Sequence, residues 1–68
     1  MFEYYKLFDY IRKNNIRQKD LLENKVISNG TLQKLRNNEN VNTAVLGALC
    51  DYLNCDITDI MEYKSPTK

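Results

Sequence analysis

The stretch RQKDLLENKVISNGTLQKLRN, residues 17 to 37, predicts two short helices that meet at an apolar corner. The first helix contains a leucine pair, and the second places Leu32 and Leu35 at i and i+3. Ser28 stands between them and is a good N-cap, because its hydroxyl can accept a hydrogen bond from a backbone N–H near the start of the second helix. The second helix is therefore expected to turn its leucines inward and to leave a polar outer face.

The rest of the chain repeats this helical periodicity. Apolar residues at i, i+3, i+4 and i+7 predict a first helix from about residue 4 to 14, and they are Tyr4, Leu7, Phe8 and Ile11. Asn42 is expected to cap a fourth helix whose inward side carries Val45, Leu46, Leu49, Cys50 and Leu53. Asp56 opens a last short helix with Ile57, Ile60 and Met61. No strand pattern stands out, so the predicted fold is all-α, a compact bundle of five short helices over residues 1–63, followed by a flexible tail at 64–68.

Length and charge limit what the chain can do. Its 68 residues suffice for one small domain with a modest core. Ten cationic and nine acidic side chains give a net charge of only +1. The distribution is uneven, because residues 17–36 carry five cationic and two acidic side chains, whereas residues 37–68 carry two cationic and five acidic ones. The positive half coincides with the two central helices.

The sequence contains few of the side chains that catalysis and metal binding usually require. Cys50 and Cys55 are the only cysteines and histidine is absent, so two thiolates alone cannot complete a four-ligand zinc site. Burial as small apolar residues is the expected role of both cysteines. No nucleophile has an evident base partner, and no apolar run approaches the ~18 residues of a membrane span. We therefore expect a cytoplasmic protein that is not an enzyme and uses no metal or cofactor, with no membrane partner and no small-molecule ligand evident.

In order along the chain, these motifs resemble the Cro/CI-type (XRE family) helix-turn-helix DNA-binding domains, especially the minimal single-domain regulators of phages and mobile elements. The resemblance lies in Gln18 and Lys19-Asp20-Leu21, then Ile27-Ser28, Thr31-Leu32 and Leu35, and then Asn38-Glu39-Asn40-Val41. Residues 49–57 and 59–63 are similar to the family's last two helices. The resemblance covers nearly the whole chain and implies a lambda-repressor-like fold with a central helix-turn-helix.

Three positions depart from the family's usual turn. Leu22 replaces a small residue, Lys25 replaces an apolar one, and Val26 stands where glycine is usual. A β-branched residue held at positive φ would be strained by about 1 to 3 kcal/mol. We therefore expect a distorted corner or a first helix that runs differently.

The resemblance also implies a DNA-binding site. Base-edge contacts are implied for Asn29, Gly30 and Lys34, and phosphate contacts for Gln18, Ser28 and Asn37. Asparagine can pair with adenine N6 and N7, and lysine can donate to guanine O6 and N7. On geometric grounds Thr31 and Gln33 are further base-edge candidates, and Arg17 and Arg36 are further phosphate candidates. For these last four residues an ordinary solvated surface is an equally good interpretation.

The leading hypothesis is a sequence-specific transcriptional regulator, a repressor that binds a palindromic operator in double-stranded DNA as a homodimer. Its dimer interface would come from exposed parts of the last helices or of the N-terminal helix. Five tyrosines are scattered along the chain and are expected to serve packing or dimer contacts rather than base stacking. The alternative is a protein-interaction module on the same scaffold, an antirepressor or an antitoxin, which the unusual turn, the blank reading position at Gly30 and the low net charge favour.

Overall fold

The amphipathic segments form four α-helices in the computed structural model, which describes residues 1–65. These are α1 (Tyr5–Lys13), α2 (Gln18–Glu23), α3 (Asn29–Arg36) and α4 (Thr43–Leu53). The fifth predicted helix is instead a single 3-10 turn, Ile57–Asp59. Only three residues separate the cap at Asp56 from the buried Ile60, which leaves room for a tight i→i+3 turn but not for an α-helix.

Two short strands, which were not predicted, join the ends of this helical unit. Strand β1 (Phe2–Glu3) pairs antiparallel with β2 (Glu62–Tyr63), with Phe2 opposite Tyr63 and Glu3 opposite Glu62. A period-2 pattern needs about four residues to be recognised, and each of these strands has two. The fold is therefore mostly helical, with a two-stranded ribbon closing it, rather than all-α.

The ribbon carries further contacts at both of its ends. The Tyr5 hydroxyl donates to the Glu62 carboxylate, and this hydrogen bond is the main cause of the raised pKa of Tyr5. Beyond β2, the backbone of Lys64 donates to and accepts from that of Met1, at 2.7 and 2.6 Å. Residues 66–68 of the predicted tail lie outside the described residues, and its flexibility stays a prediction.

The hydrophobic core draws on every α-helix and on Ile60, which directly follows the 3-10 turn. Its fully buried members are the expected inward positions, namely Leu7, Leu21, Leu35, Leu49 and Ile60. Ile57 was also expected inside but is 42% exposed, because the 3-10 turn points it outward. No helix in residues 1–65 is long and apolar enough to cross a membrane.

Both cysteines pack against this core as free, half-buried thiols. The Cys55 N–H donates to the Cys50 carbonyl at 3.0 Å, where α4 ends. Burial, with a smaller effect from Cys50, raises the pKa of Cys55 to about 11. The thiol is therefore protonated at neutral pH and poorly nucleophilic, as suits a small packing residue.

Asparagines terminate most of the helices by entering the left-handed region. Asn15, Asn38 and Asn54 have φ of 59°, 56° and 54° after α1, α3 and α4. Asparagine tolerates this conformation better than other non-glycine residues. Helix α2 ends in the same way, but there the left-handed residue is Lys25, with φ of 57°.

The helix-turn-helix corner therefore differs from expectation by one residue. Val26 is not at positive φ, and the strained position is Lys25. The N–H of Val26 donates to the Leu21 carbonyl at 2.9 Å and that of Lys25 to the Leu22 carbonyl at 3.1 Å. This paired pattern is a Schellman termination, which leaves Val26 half-buried against the core. The unusual turn sequence is thus accommodated by a regular helix end.

Candidate nucleic-acid interface

Helix α3 is held at its start by a cap and along its inner side by two leucines. The Ser28 hydroxyl accepts from the Thr31 N–H at 3.2 Å, as the sequence predicts. Leu32 and Leu35 are 3% and 1% exposed, so they fix the rotation of the helix about its axis. The opposite side is left to solvent, and its exposed members are Asn29, Gly30, Gln33 and Lys34.

Gly30 is not required by the fold. Its φ is not positive, and a Cβ built on it would meet only the Ser28 Oγ, at 4.0 Å. Alanine would therefore fit without strain and would favour the helix. Because glycine has no side chain, a molecule that docks on the middle of the polar face can approach the α3 backbone closely.

Thr31 lies at the edge of this face and is only half-exposed. Its Oγ1 accepts from the Ser28 hydroxyl at 3.1 Å. The two hydroxyls form a small polar pair at the start of α3, with Ser28 itself exposed. A phosphate could accept a hydrogen bond from this pair if the hydroxyl hydrogens turned outward.

A hydrogen bond between side chains joins the start of α2 to the end of α3. The Arg36 guanidinium donates to the Gln18 Oε1 through both Nε, at 3.1 Å, and Nη2. These are two of the predicted phosphate-binding residues, 18 positions apart in sequence. Because the glutamine accepts through its carbonyl, its amide N–H groups and the remaining guanidinium N–H groups can point to one shared anion.

Arg17 has a different environment from Arg36. Its Nη2 lies 3.0 Å from Asp20 Oδ1, and its backbone N–H donates to Asp20 Oδ2 at 2.9 Å. The hydrogen bond between the two side chains lowers the pKa of Asp20 and raises that of Arg17. Asp20 thus caps α2 in place of the poor cap at Arg17, and a phosphate would have to compete with it for the guanidinium.

Asn37 is exposed at the C-terminal end of α3, directly after Arg36. Its neighbour Asn38 has a structural role, because the Asn38 Oδ1 accepts from the Tyr4 N–H at 3.1 Å. The end of α3 is thereby tied to the residue that follows β1. The structure leaves the candidate residues Asn29, Gly30, Gln33 and Lys34 on the exposed side of α3 and brings Arg36 to Gln18, while Arg17 turns to Asp20.

A groove that was not predicted from sequence lies beside this surface. It has a volume of about 460 Å³ and lies between the end of α1 and the start of α2. Phe8, Ile11 and Ile16 supply its apolar part, and its polar lining is formed by Arg12, Asn15, Arg17 and Gln18. The groove and the Gln18–Arg36 contact both depend on how α1, α2 and α3 meet, which no local sequence pattern reveals.

This architecture, a capped polar helix set against a shorter helix across a tight corner, is that of a helix-turn-helix domain. Residues 6–66 match the Cro/C1-type HTH DNA-binding domain family, and the chain belongs to that family. The members of this class bind DNA and are not typically enzymes. The predicted family resemblance is confirmed.

One solved structure shows the same fold. The crystal structure of the transcriptional regulator VanUg superposes with a TM-score of 0.83 and is 41% identical in sequence. The match covers 90% of this chain and 81% of that one. Comparison with curated protein sequences gives no significant match.

Proposed function

We propose that this chain is a cytoplasmic, sequence-specific transcriptional repressor that binds a palindromic operator in double-stranded DNA as a homodimer. The observation that carries the proposal is the exposed polar side of α3, seated by Leu32 and Leu35. Membership of a DNA-binding family and similarity to a transcriptional regulator support the same function.

Base recognition is assigned to the solvent side of α3. Asn29 and Lys34 carry the specific contacts, the first suited to adenine and the second to guanine. Gln33 and Thr31 lie beside them, and Gly30 lets the backbone approach the groove. Each of these residues is exposed or half-exposed and lies away from the buried leucines.

Phosphate binding is assigned to the two ends of the corner. Gln18 and Arg36 already share a hydrogen bond, so one phosphate can accept from both. Ser28 and Asn37 are exposed at opposite ends of α3, and Arg17 contributes if it leaves Asp20. These contacts would fix the register of α3 on the duplex without reading sequence.

Two copies are needed for useful affinity. A single short helix reads few base pairs, and a net charge of +1 gives a small electrostatic contribution per chain. A two-fold axis would place two α3 helices about 34 Å apart in successive major grooves. Palindromy of the operator follows from that symmetry.

Lys34→Ala should weaken binding to an operator from the protein's own promoter region by about 1 to 3 kcal/mol and relax the preference at one base pair. Lys13→Ala is the control, because this substitution removes the same charge from a different place. Lys13 is exposed on α1, near Thr58 and Asp59. Mobility shift against the operator and its single-base variants measures both effects. Equal losses for the two variants, or no shift by the folded wild type at low salt, would refute the assignment.

A protein-interaction module, an antirepressor or antitoxin, is the second candidate. The pairing of Arg17 with Asp20 favours it, because it reduces the positive charge free to meet phosphates. Such a module would bind its partner with an affinity that changes little between low and physiological salt. DNA binding by counterion release would instead weaken steeply.

A further inference from the structure

The β1–β2 ribbon exposes an aromatic pair that the fold does not use. The rings of Phe2 and Tyr63 lie 5.1 Å apart in an edge-to-face arrangement, and the two residues are 45% and 60% exposed. Met1 and Tyr5, next to them in sequence, are 62% and 46% exposed. Of the six exposed large apolar side chains in residues 1–65, these four therefore lie on the ribbon or next to it in sequence.

The aromatic pair continues the apolar side of the ribbon beyond the core. Side chains alternate along a strand, so Phe2 shares a face with Tyr4 and Tyr63 with Met61. Tyr4 is 3% exposed and Met61 packs against the core. The face is thus covered at one end and open to solvent at Phe2 and Tyr63. Exposed apolar surface of this kind is typical of protein–protein contact.

The backbone of β2 also has an open hydrogen-bonding edge. Met1 and Lys64 exchange both backbone hydrogen bonds, which makes Phe2 and Tyr63 the next, non-hydrogen-bonded pair of the antiparallel ladder. The N–H and C=O of Tyr63 consequently point away from β1. They can pair with one further strand.

The order of charges on this edge identifies the strand that fits. Glu62, Tyr63 and Lys64 read negative, aromatic, positive. An antiparallel copy centred on Tyr63 places Glu62 opposite Lys64 of the second copy, twice, whereas a parallel copy in register would place like charges opposite each other. The sequence of β2 is therefore complementary to itself about a two-fold axis.

We propose that two copies of this chain associate through β2, forming a four-stranded antiparallel sheet with Tyr63 at its two-fold axis. The Phe2 and Tyr63 rings of both copies then cover one another on one face, and the Glu62–Lys64 pairs lie on the other. Within one copy the Lys64 Nζ lies 3.8 Å from the Glu3 Oε1, and Tyr5 donates to Glu62, so on association each charged side chain either exchanges its partner within its own copy for one in the second copy or is shared between the two.

This interface would set the spacing of the two DNA-binding surfaces, and in that respect it rests on the proposed function. The Tyr4 N–H donates to the Asn38 side chain, so the ribbon is tied to the segment that follows α3. Joining two ribbons therefore orients the two α3 helices. This proposed interface differs from the one expected from the sequence, which lay on the N-terminal or last helices and stays a prediction.

The test measures self-association without DNA, by sedimentation equilibrium across micromolar concentrations. Tyr63→Lys should weaken the dimer about tenfold or more, because a central aromatic contact is lost. Ile57→Lys is the control, since Ile57 is an exposed apolar residue on the 3-10 turn. Far-UV circular dichroism establishes that each variant is folded. A monomeric wild type, or a dimer insensitive to Tyr63→Lys, overturns the proposal.

Charge reversal gives a second, independent test. Glu62→Lys and Lys64→Glu should each weaken their own homodimer, because each places like charges opposite each other, whereas mixing the two folded variants should produce a heterodimer. Failure of the mixture to associate overturns the proposal. DNA binding is read separately, on the same samples. A dimer that does not bind its operator contradicts the proposed function alone. Operator binding by a chain that stays monomeric contradicts this interface and the homodimer of the proposed function, but leaves DNA recognition by α3 standing.

Discussion

At the scale of single residues, the two glycines offer a direct test of how closely α3 meets DNA. Gly30 in α3 and Gly47 in α4 are both exposed, and a Cβ at either would meet no close neighbour. Alanine at each position should therefore raise the free energy of unfolding by up to about 1 kcal/mol, with the larger gain at Gly47 in the helix interior. Urea denaturation measures this gain.

The same pair separates fold from function. Gly30→Ala should weaken operator binding although the protein is more stable, because the added methyl group lies where the backbone approaches the groove. Gly47→Ala should leave binding unchanged. A Gly30→Ala protein that binds as tightly as wild type would show that the glycine is a tolerated helix defect with no role at the interface.

At the scale of elements, the corner between α2 and α3 carries a local cost at Lys25. A non-glycine residue at φ of 57° is disfavoured by about 1 kcal/mol or more, whereas glycine adopts this conformation freely. Lys25→Gly should therefore stabilise the domain by roughly 0.5 to 1 kcal/mol. Val26→Gly should destabilise it, because Val26 has ordinary φ and packs against the core. The opposite order in thermal or urea unfolding would place the strain at Val26 after all.

The elements also show which structural features were readable from sequence. All four α-helices were predicted from apolar spacing, from the leucine pair of α2 or from caps such as Ser28 and Asn42, and both caps accept the expected backbone N–H. The last element failed as a helix because spacing alone does not distinguish an α-turn from a 3-10 turn over three residues. The ribbon was missed because pairing between residues 2–3 and 62–63 is a long-range property.

The exposure of the candidate residues on α3 was predictable to the same degree as the helix itself. The leucine spacing of α3 correctly indicated which side would be free, so Asn29 and Lys34 are exposed as expected. The partners of the arginines were not predictable in the same way. Arg36 meets Gln18 across the corner, whereas Arg17 folds back onto Asp20 within its own helix. The first contact depends on how α2 packs against α3, whereas the second is a local pair three residues apart.

At the scale of the whole molecule, the net charge is only +1, so the proposed DNA binding depends on the arrangement of the charges rather than on their sum. The cationic side chains concentrate in residues 17–36, and the hydrogen bond from Arg36 to Gln18 holds one of them at the corner.

Counterion release makes the logarithm of affinity fall with the logarithm of salt concentration, by about 0.9 for each phosphate neutralised. The slope of log affinity against log salt concentration should therefore become shallower in Arg36→Ala, by about 0.9 per bound copy or about 1.8 for a homodimer. Lys13→Ala, which removes an equal charge from α1, should leave the slope unchanged. Titration of the operator by fluorescence anisotropy at several salt concentrations measures this slope. If Arg36→Ala does not alter the slope, Arg36 does not contact a phosphate. A reduction of only about 0.9 would mean that a single copy engages the DNA through this residue.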